Sequence, residues 1–353
     1  MKTIPISAST EYEVLIGSGL LSKAGEHLRA VTKADTVAVI SDSNVWPLYG
    51  HTLSKSLELE GFKKVISYVM PAGEESKNAQ AYLSVLDFLA MHNLDRSSCI
   101  AALGGGVVGD LAGFAAATYL RGVDYVQIPT SLLAMVDSSV GGKTAIDLKA
   151  GKNLAGAFYQ PKLVLCDTDV LSSLPESVFR DGCAEVIKYG VLYDADLLTV
   201  LESTGINFDP EAVIARCVEL KRDVVTADEF DRGPRMLLNL GHTVGHGIEA
   251  ASNYTVSHGQ AVSIGMAAIA RACAGHGICS HETALRISTV LKAFGLPVSS
   301  GLDQEAICSA ALSDKKRIAD TVHLVVPRAI GCCEVLSVAA KELPLWIQAG
   351  LQL

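Results

Sequence analysis

The sequence predicts an α/β chain in two parts: an amino-terminal doubly wound, mostly parallel sheet and a mainly α-helical carboxy-terminal domain. Three observations predict it. Short β-branched or apolar runs alternate with helical patterns in the first half, a glycine-rich turn follows one of those runs, and helix-period patterns dominate the second half.

The strands come in order. TVAVISD (36–42), KVISYVM (64–70), CIAALGGG (99–106), DYVQIPT (124–130) and LVLCDT (163–168) each end in Gly, Asp, Pro or Thr or a residue beside one. Between the first four lie helical patterns. NAQAYLSVLDFLAMH (78–92), for example, repeats its apolar residues at three- and four-residue spacing. Such alternation implies a parallel sheet whose ligands sit at the carboxyl ends of the strands. Beyond Leu174 only TVHLVVP (321–327) reads as a strand. A boundary near Ser172–Pro175, where LSSLPE starts a helix, gives domains 1–173 and 174–353. No internal repeat or low-complexity linker interrupts them.

Composition narrows the function classes. The chain has 353 residues, 49% hydrophobic and 19% charged, which suits a large buried core in one or two domains. MKTIPISAST lacks an apolar segment of signal-peptide length. The most apolar stretch, AGFAAATYL (112–120), is shorter than the roughly 18 apolar residues of a membrane span. Nine cysteines, none in a CxxC pair, lie in apolar runs and read as small hydrophobes of a reducing cytoplasm. A net charge of −9 with no basic stripe argues against nucleic acid or an anionic membrane as partner. An anionic ligand would need a local cluster of positive charge.

Two motifs carry chemistry. In GGGVVGD (104–110), three glycines after a buried strand let backbone N–H groups approach a phosphate, and the helix that follows turns its positive end to it. A tight strand-to-helix turn would also explain them, and GxGxxG is absent. Other strand ends add polar groups: SDSN offers Asp42 to a ribose hydroxyl, and the small-residue loop IPTSLLAMVDSSVGGKTAID carries Asp137 and Lys143. Three such ends suggest a nucleotide cleft. The second motif is NLGHTVGHGIEAASNYTVSHG (239–259), which gathers His242, His246 and His258 among residues too small to bury them well. A lone histidine is more often a helix cap or a satisfied core residue. Three so close favour a site, because metals collect histidines with a carboxylate. His242 and His246, four apart on one helix face, are the ligand pair that geometry alone suggests, although the general-base glutamate of HExxH is missing.

The strings GGGVVGDLAGFAAATYLRG, QIPTSLLAMVDSSVGGKTAID, KNLAGAFYQP, DGCAEVIKYG and RMLLNLGHTVGHGIE, in this order, closely resemble the 3-dehydroquinate synthase family over about residues 36–330. The resemblance implies a Rossmann-like, NAD-binding first domain and a metal-binding second one. It also implies conversion of 3-deoxy-D-arabino-heptulosonate 7-phosphate to 3-dehydroquinate and phosphate. It changes the metal assignment: Glu185, His242 and His258 become the ligands of one Zn2+ or Co2+, and His246 faces the substrate phosphate. Lys188, three residues after Glu185, shares its helix face; an ordinary surface ion pair and, beside the small or apolar Ala184, Val186 and Ile187, a buried position are both open readings.

For NAD, the matched positions are Asp42 and Asn44 near the adenosine, then Glu74 and Lys77 of GEESK. Gly105, Gly106, Val107 and Asp110 follow at the pyrophosphate, then Thr130, Ser131, Asp137, Lys143 and Lys152. GEESK also suits an ordinary helix start, where acidic residues are favoured. By resemblance Lys221, Arg235 and Asn239 meet the substrate carboxylate and hydroxyls. Lys152, Asn153, His246 and a lysine of DKK, taken as Lys315 over Lys316, meet the phosphate. Arg121 of YLRG resembles an arginine lent by the partner in a homodimer. Asp137, Lys143, Lys188, Lys221 and His246 form the implied catalytic set. The departures from the family pattern are Gly247, where alanine is usual and which is expected to loosen its helix, and Pro234 before Arg235.

Overall fold

A computed structural model describes residues 1–315 and 320–352. The chain divides into two compact units, Met1–Leu174 with Pro210–Phe230, and Pro175–Asp209 with Asp231–Leu353. The division at Leu174 falls beside the boundary read from LSSLPE. The segment Pro210–Phe230 differs: it follows that boundary in sequence yet belongs to the first unit.

The first unit begins with β1 (Lys2–Ile6) and β2 (Tyr12–Gly17), then α1 (Ala24–Val31), β3 (Thr36–Asp42), α2 (Trp46–Leu59) and β4 (Lys64–Met70). It continues through α3 (Ala79–Met91), β5 (Cys99–Gly104), α4 (Gly106–Thr118), β6 (Asp124–Pro129), β7 (Lys143–Leu148), β8 (Gly151–Phe158) and β9 (Leu163–Asp167). Seven strands form one sheet in the order β1-β2-β9-β6-β5-β3-β4, parallel except for the β1–β2 pair. The chain runs outward from β3 to β4 and then crosses back to β5 on the other side of β3. The sheet's topological switch point therefore lies between β3 and β5, at the ends that carry Asp42 and Gly104.

Local sequence explains the elements. β5, CIAALG, is buried at every position, as a central parallel strand must be. The Asn78 side chain caps α3, accepting a hydrogen bond from the Ala81 backbone N–H at 3.0 Å. β7 and β8 form a separate antiparallel hairpin, in which β7 takes up the end of the stretch read as a loop and β8 follows it. Only the first part of that stretch is irregular, a π-type turn at Ala134–Ser138 followed by Gly141 and Gly142 with φ of 94° and 71°.

After an extended Pro175, the second unit opens on α5 (Glu176–Tyr193) and α6 (Ala195–Thr204). The chain returns to the first unit for α7 (Pro210–Ala227). It then completes the second with α8 (His242–Ala251), α9 (His258–Gly275), α10 (His281–Ala293), α11 (Gln304–Lys315), the hairpin β10 (Thr321–Ala329) and β11 (Cys332–Ala339), and α12 (Leu343–Leu351). α8 and α9 approach closely because glycines line their contact. A Cβ on Gly265 would stand 2.0 Å from the Gly241 carbonyl oxygen. The missing Cβ of Gly247 admits α11, whose Ile307 carbonyl oxygen would lie 2.8 Å from one.

All nine cysteines are free, and seven are buried. Among the described residues no helix is long and apolar enough to cross a membrane.

Candidate functional site

In the second unit, three helices converge on Glu185. It stands midway along α5 and is fully buried, as is Lys188 one turn later, which pairs with its other oxygen. The surface-pair alternative for these two residues is therefore excluded. His242 opens α8, and its Nε2 lies 3.4 Å from Glu185 Oε1. His258 opens α9, with its Nε2 3.2 Å from the same oxygen. Donor atoms of Glu185, His242 and His258 all fall within 4.8 Å of one another. Each imidazole is held through its other nitrogen, His242 Nδ1 at 3.1 Å from the Leu240 carbonyl and His258 Nδ1 at 3.4 Å from Glu249 Oε2. Two imidazoles and one carboxylate, converging and turned by outer partners, fit a divalent metal of the zinc type.

Electrostatics hold two of these donors, Glu185 and His242, in the form that binds a metal. Burial raises the pKa of Glu185, but Lys188 and His242 outweigh it and hold the carboxyl well below its ordinary value. Burial, reinforced by Lys188, lowers His242 to about 4 and keeps it neutral, the form that binds metal. Burial also opposes charge on His258, yet its hydrogen bonds to Glu185 and Glu249 raise it to about 10. A proton there is what a cation would displace.

His246 is half-buried on α8, its ring centroid 5.5 Å from that of His242 and 6.3 Å from that of His258. It belongs with Glu249 and His258 to a second group of donors within 4.8 Å. The i, i+4 pairing suggested by spacing alone brings the two rings together, while Glu185 gathers with His242 and His258. In the turn Pro234–Asn239, Arg235 is 2% exposed and Asn239 half-buried. Lys315 ends α11, its side chain outside the described residues, as is all of Lys316.

In the first unit, Asp42 ends β3, and its Oδ1 accepts from the backbone N–H groups of Asn44 at 2.8 Å and Val45 at 3.0 Å. Gly105 precedes α4, whose first turn no side chain caps and which holds Gly106, Val107 and Asp110. The glycines differ in their reasons. A Cβ on Gly104 would stand 2.6 Å from Val108 Cγ2, so packing requires glycine there. A Cβ on Gly105 would meet only Ser131, at 3.4 Å, and its φ is −74°. Neither packing nor backbone angle explains Gly105, and an uncapped helix start with room above it fits a phosphate.

Below this turn lies a charged cluster. Lys77, 4% exposed, donates to Asp110 Oδ2 at 3.1 Å and to Asn153 Oδ1 at 2.7 Å, and lies 3.2 Å from Glu74 Oε1. Burial opposes its charge, but Asp110, Glu74 and Asp147 outweigh it and hold its pKa near 12. Asp110 is the less satisfied partner: burial pushes it up to about 6 despite Lys77. Lys152 reaches Glu74 at 3.7 Å. Lys221, on α7, is 5% exposed and donates to the carbonyl of Asp137 at 2.5 Å and to its carboxylate. Thr130 is buried behind the turn, donating its N–H to the Gly104 carbonyl at 3.0 Å, and Ser131 follows. Lys143 and Arg121 are exposed, and Arg121 stands in a run of positive φ, 50° at Leu120, 67° at Arg121 and 123° at Gly122.

Three groups in or beside these clusters were not singled out from the sequence: Asp147, Glu249 and Asp181, whose carboxylate accepts from the Gln260 backbone N–H at the start of α9. Each lies inside or beside a quoted motif. Glu249 is seven residues after His242, on the same face of α8, a spacing that could have revealed it.

A Rossmann-like turn in one unit and a two-histidine, one-carboxylate centre in the other define a class of nucleotide- and metal-binding α/β enzymes. Comparisons with known proteins narrow the class. Residues 67–181 match the family described as 3-dehydroquinate synthase N-terminal, and residues 182–317 match 3-dehydroquinate synthase C-terminal. The chain is 47% identical to the 3-dehydroquinate synthase of Pelobacter propionicus, covering 94% of each chain. It is 42% identical to that of Clostridium kluyveri over 97% of each. Among solved structures, 2-deoxy-scyllo-inosose synthase complexed with carbaglucose-6-phosphate, NAD+ and Co2+ superposes with a TM-score of 0.89 at 25% identity, over 99% of this chain and 100% of that one. The 2-epi-5-epi-valiolone synthase of Streptomyces hygroscopicus, with NAD+ and Zn2+ bound, gives 0.87 at 26% over 98% of each. The chain belongs to the 3-dehydroquinate synthase family.

Proposed function

We propose that this protein is a 3-dehydroquinate synthase. It converts 3-deoxy-D-arabino-heptulosonate 7-phosphate to 3-dehydroquinate and phosphate in aromatic amino acid biosynthesis, using NAD and one Zn2+ or Co2+. The observation that carries the reading is the 47% identity to a 3-dehydroquinate synthase across 94% of the chain.

When bound, NAD takes up and returns a hydride while the divalent ion acidifies a substrate hydroxyl. The protein's share is to hold both, orient the substrate and offset its charge. Glu185, His242 and His258 hold the ion, and Lys188 keeps Glu185 charged. The α4 start, with Gly105, Gly106, Val107 and Asp110, receives the pyrophosphate. Asp42, Asn44, Glu74, Lys77, Thr130, Ser131, Asp137, Lys143 and Lys152 complete the NAD set.

Arg235 and Asn239 meet the substrate carboxylate and hydroxyls, as does Lys221, held in place by Asp137. His246, Lys152, Asn153 and Lys315 meet the phosphate. These groups supply the positive charge that the net charge of −9 requires an anion site to concentrate. Arg121, exposed on its strained turn, serves a neighbouring subunit in a homodimer. Nine free cysteines support a reducing cytoplasm as its location.

The test offers the purified protein with Zn2+ or Co2+ and NAD two substrates, the heptulosonate phosphate and glucose 6-phosphate. Release of 3-dehydroquinate and phosphate from the first alone is expected. Cyclisation of the hexose phosphate instead would transfer the assignment to a related sugar-phosphate cyclase.

A further inference from the structure

The geometry points to Glu249 as the residue that orients His258 for metal binding, a positioning residue outside the ligand set; the inference rests on the ligands proposed above.

Glu249 is 3% exposed on α8, two turns beyond His242. A buried carboxylate is costly unless hydrogen-bond donors reach it. His258 is such a donor, with Nδ1 3.4 Å from Glu249 Oε2, while its Nε2 is directed at Glu185 Oε1 at 3.2 Å. The two nitrogens of one ring thus address two carboxylates on separate helices. A proton held on Nδ1 by Glu249 leaves the Nε2 lone pair turned toward Glu185, the tautomer a metal there requires. His242 obtains the same selection from the Leu240 carbonyl. His258 has a carboxylate instead, which strengthens the imidazole as a donor.

The same residue also fixes the chain between the helices. The Glu249 carbonyl accepts from the Tyr254 backbone N–H at 2.7 Å and from the Ser252 hydroxyl at 2.9 Å. It closes a turn in which Asn253 and Tyr254 have φ of 51° and 60°. One residue therefore restrains both the ring of His258 and the segment that delivers it. The alternative use of Glu249 is in a second cation site with His246 and His258. One imidazole would then bridge two cations through both nitrogens, having lost both protons. A single ion, with Glu249 behind the histidine, avoids that cost.

The test strips the full-length protein of metal and titrates Co2+, following its visible absorption and stoichiometry, for wild type, Glu249→Gln, Glu249→Asp and His258→Ala. One ion per wild-type chain is expected. Glu249→Gln should weaken Co2+ binding by about 10–100-fold and change the absorption spectrum, and Glu249→Asp should recover part of the affinity. Nitrogen-15 correlation spectra of the zinc-loaded wild type should show the His258 proton on Nδ1, a readout that needs no variant to fold. Wild-type affinity and spectrum in Glu249→Gln, a proton on Nε2, or two ions per chain would each overturn the positioning role. Wild-type affinity in His258→Ala would instead overturn the ligand set.

Discussion

The carboxylate of Asp181 accepts a hydrogen bond from the Gln260 backbone N–H at 3.0 Å, so a side chain of α5 caps the helix that begins with His258. The Ser257 hydroxyl donates to the same oxygen. Asp181 precedes Glu185 by one turn, so the cap sets the spacing between two proposed ligands. The helices touch through backbone: a Cβ on Gly259 would stand 2.0 Å from the Asp181 carbonyl oxygen. Gly259→Ala should therefore lower both Tm and bound zinc. Asp181→Ala should cost about 1 kcal/mol, as cap losses do, with a smaller loss of zinc. Thermal unfolding and elemental analysis check both; wild-type values in Gly259→Ala would show that the helices yield.

Variants at the histidines separate binding from chemistry. His242→Ala and His258→Ala should each abolish tight metal binding. His246→Ala should keep the ion and lose activity. Metal content measured beside phosphate release decides. A metal-free His246→Ala protein beside a loaded His242→Ala would restore the ligand pair that sequence spacing suggests.

The raised pKa of Asp110 sets a pH dependence. Its folded value is about 6 against an ordinary 3.8, so the folded state binds the proton more tightly than the unfolded chain. The resulting stabilisation is fully present below about pH 4 and is lost as pH rises through 6. At pH 7, without NAD, Asp110→Asn should be more stable than wild type by on the order of 2–3 kcal/mol, less whatever Lys77 loses in that partner. Its advantage should shrink toward pH 4. Unfolding of both proteins between pH 4 and 7 measures it, and a difference independent of pH would contradict the assignment.

Arg235 offers a carboxylate two parallel N–H donors, a geometry lysine cannot reproduce. Arg235→Lys should lower kcat/KM by about 1.5–3 kcal/mol of transition-state binding, the range for charged hydrogen bonds. Unchanged kcat/KM would place the substrate carboxylate elsewhere.

The sequence disclosed these features unevenly, for physical reasons. Of the five parallel strands legible in the sequence, β3, β5, β6 and β9 are continuous apolar runs because both their faces are buried, whereas β4, an edge strand with exposed positions, was legible from its β-branched and apolar residues ending beside Pro71. β1 was not: it is a five-residue edge strand with Pro5 in it, tolerable only at an edge. α7 reads as an ordinary helix, and nothing local reports that it belongs with the first unit. At the metal centre the histidine cluster was visible, but periodicity favoured His246 over His258. The turn that folds His258 back depends on the positive φ of Asn253 and Tyr254 and on contacts of Asp181 and Glu249. Helical spacing cannot see a contact between helices. Glu185, 57 residues before His242, emerged only from the family resemblance.

A synthase regenerates NAD within each turnover, whereas a polyol dehydrogenase converts it to NADH. A time course of phosphate release from the heptulosonate phosphate, with trace NAD and NADH absorbance followed in parallel, tests the synthase assignment most directly. Many phosphates per NAD should appear, with NADH never exceeding the enzyme concentration. One NADH accumulating for each substrate consumed would make the protein a dehydrogenase and overturn the synthase assignment.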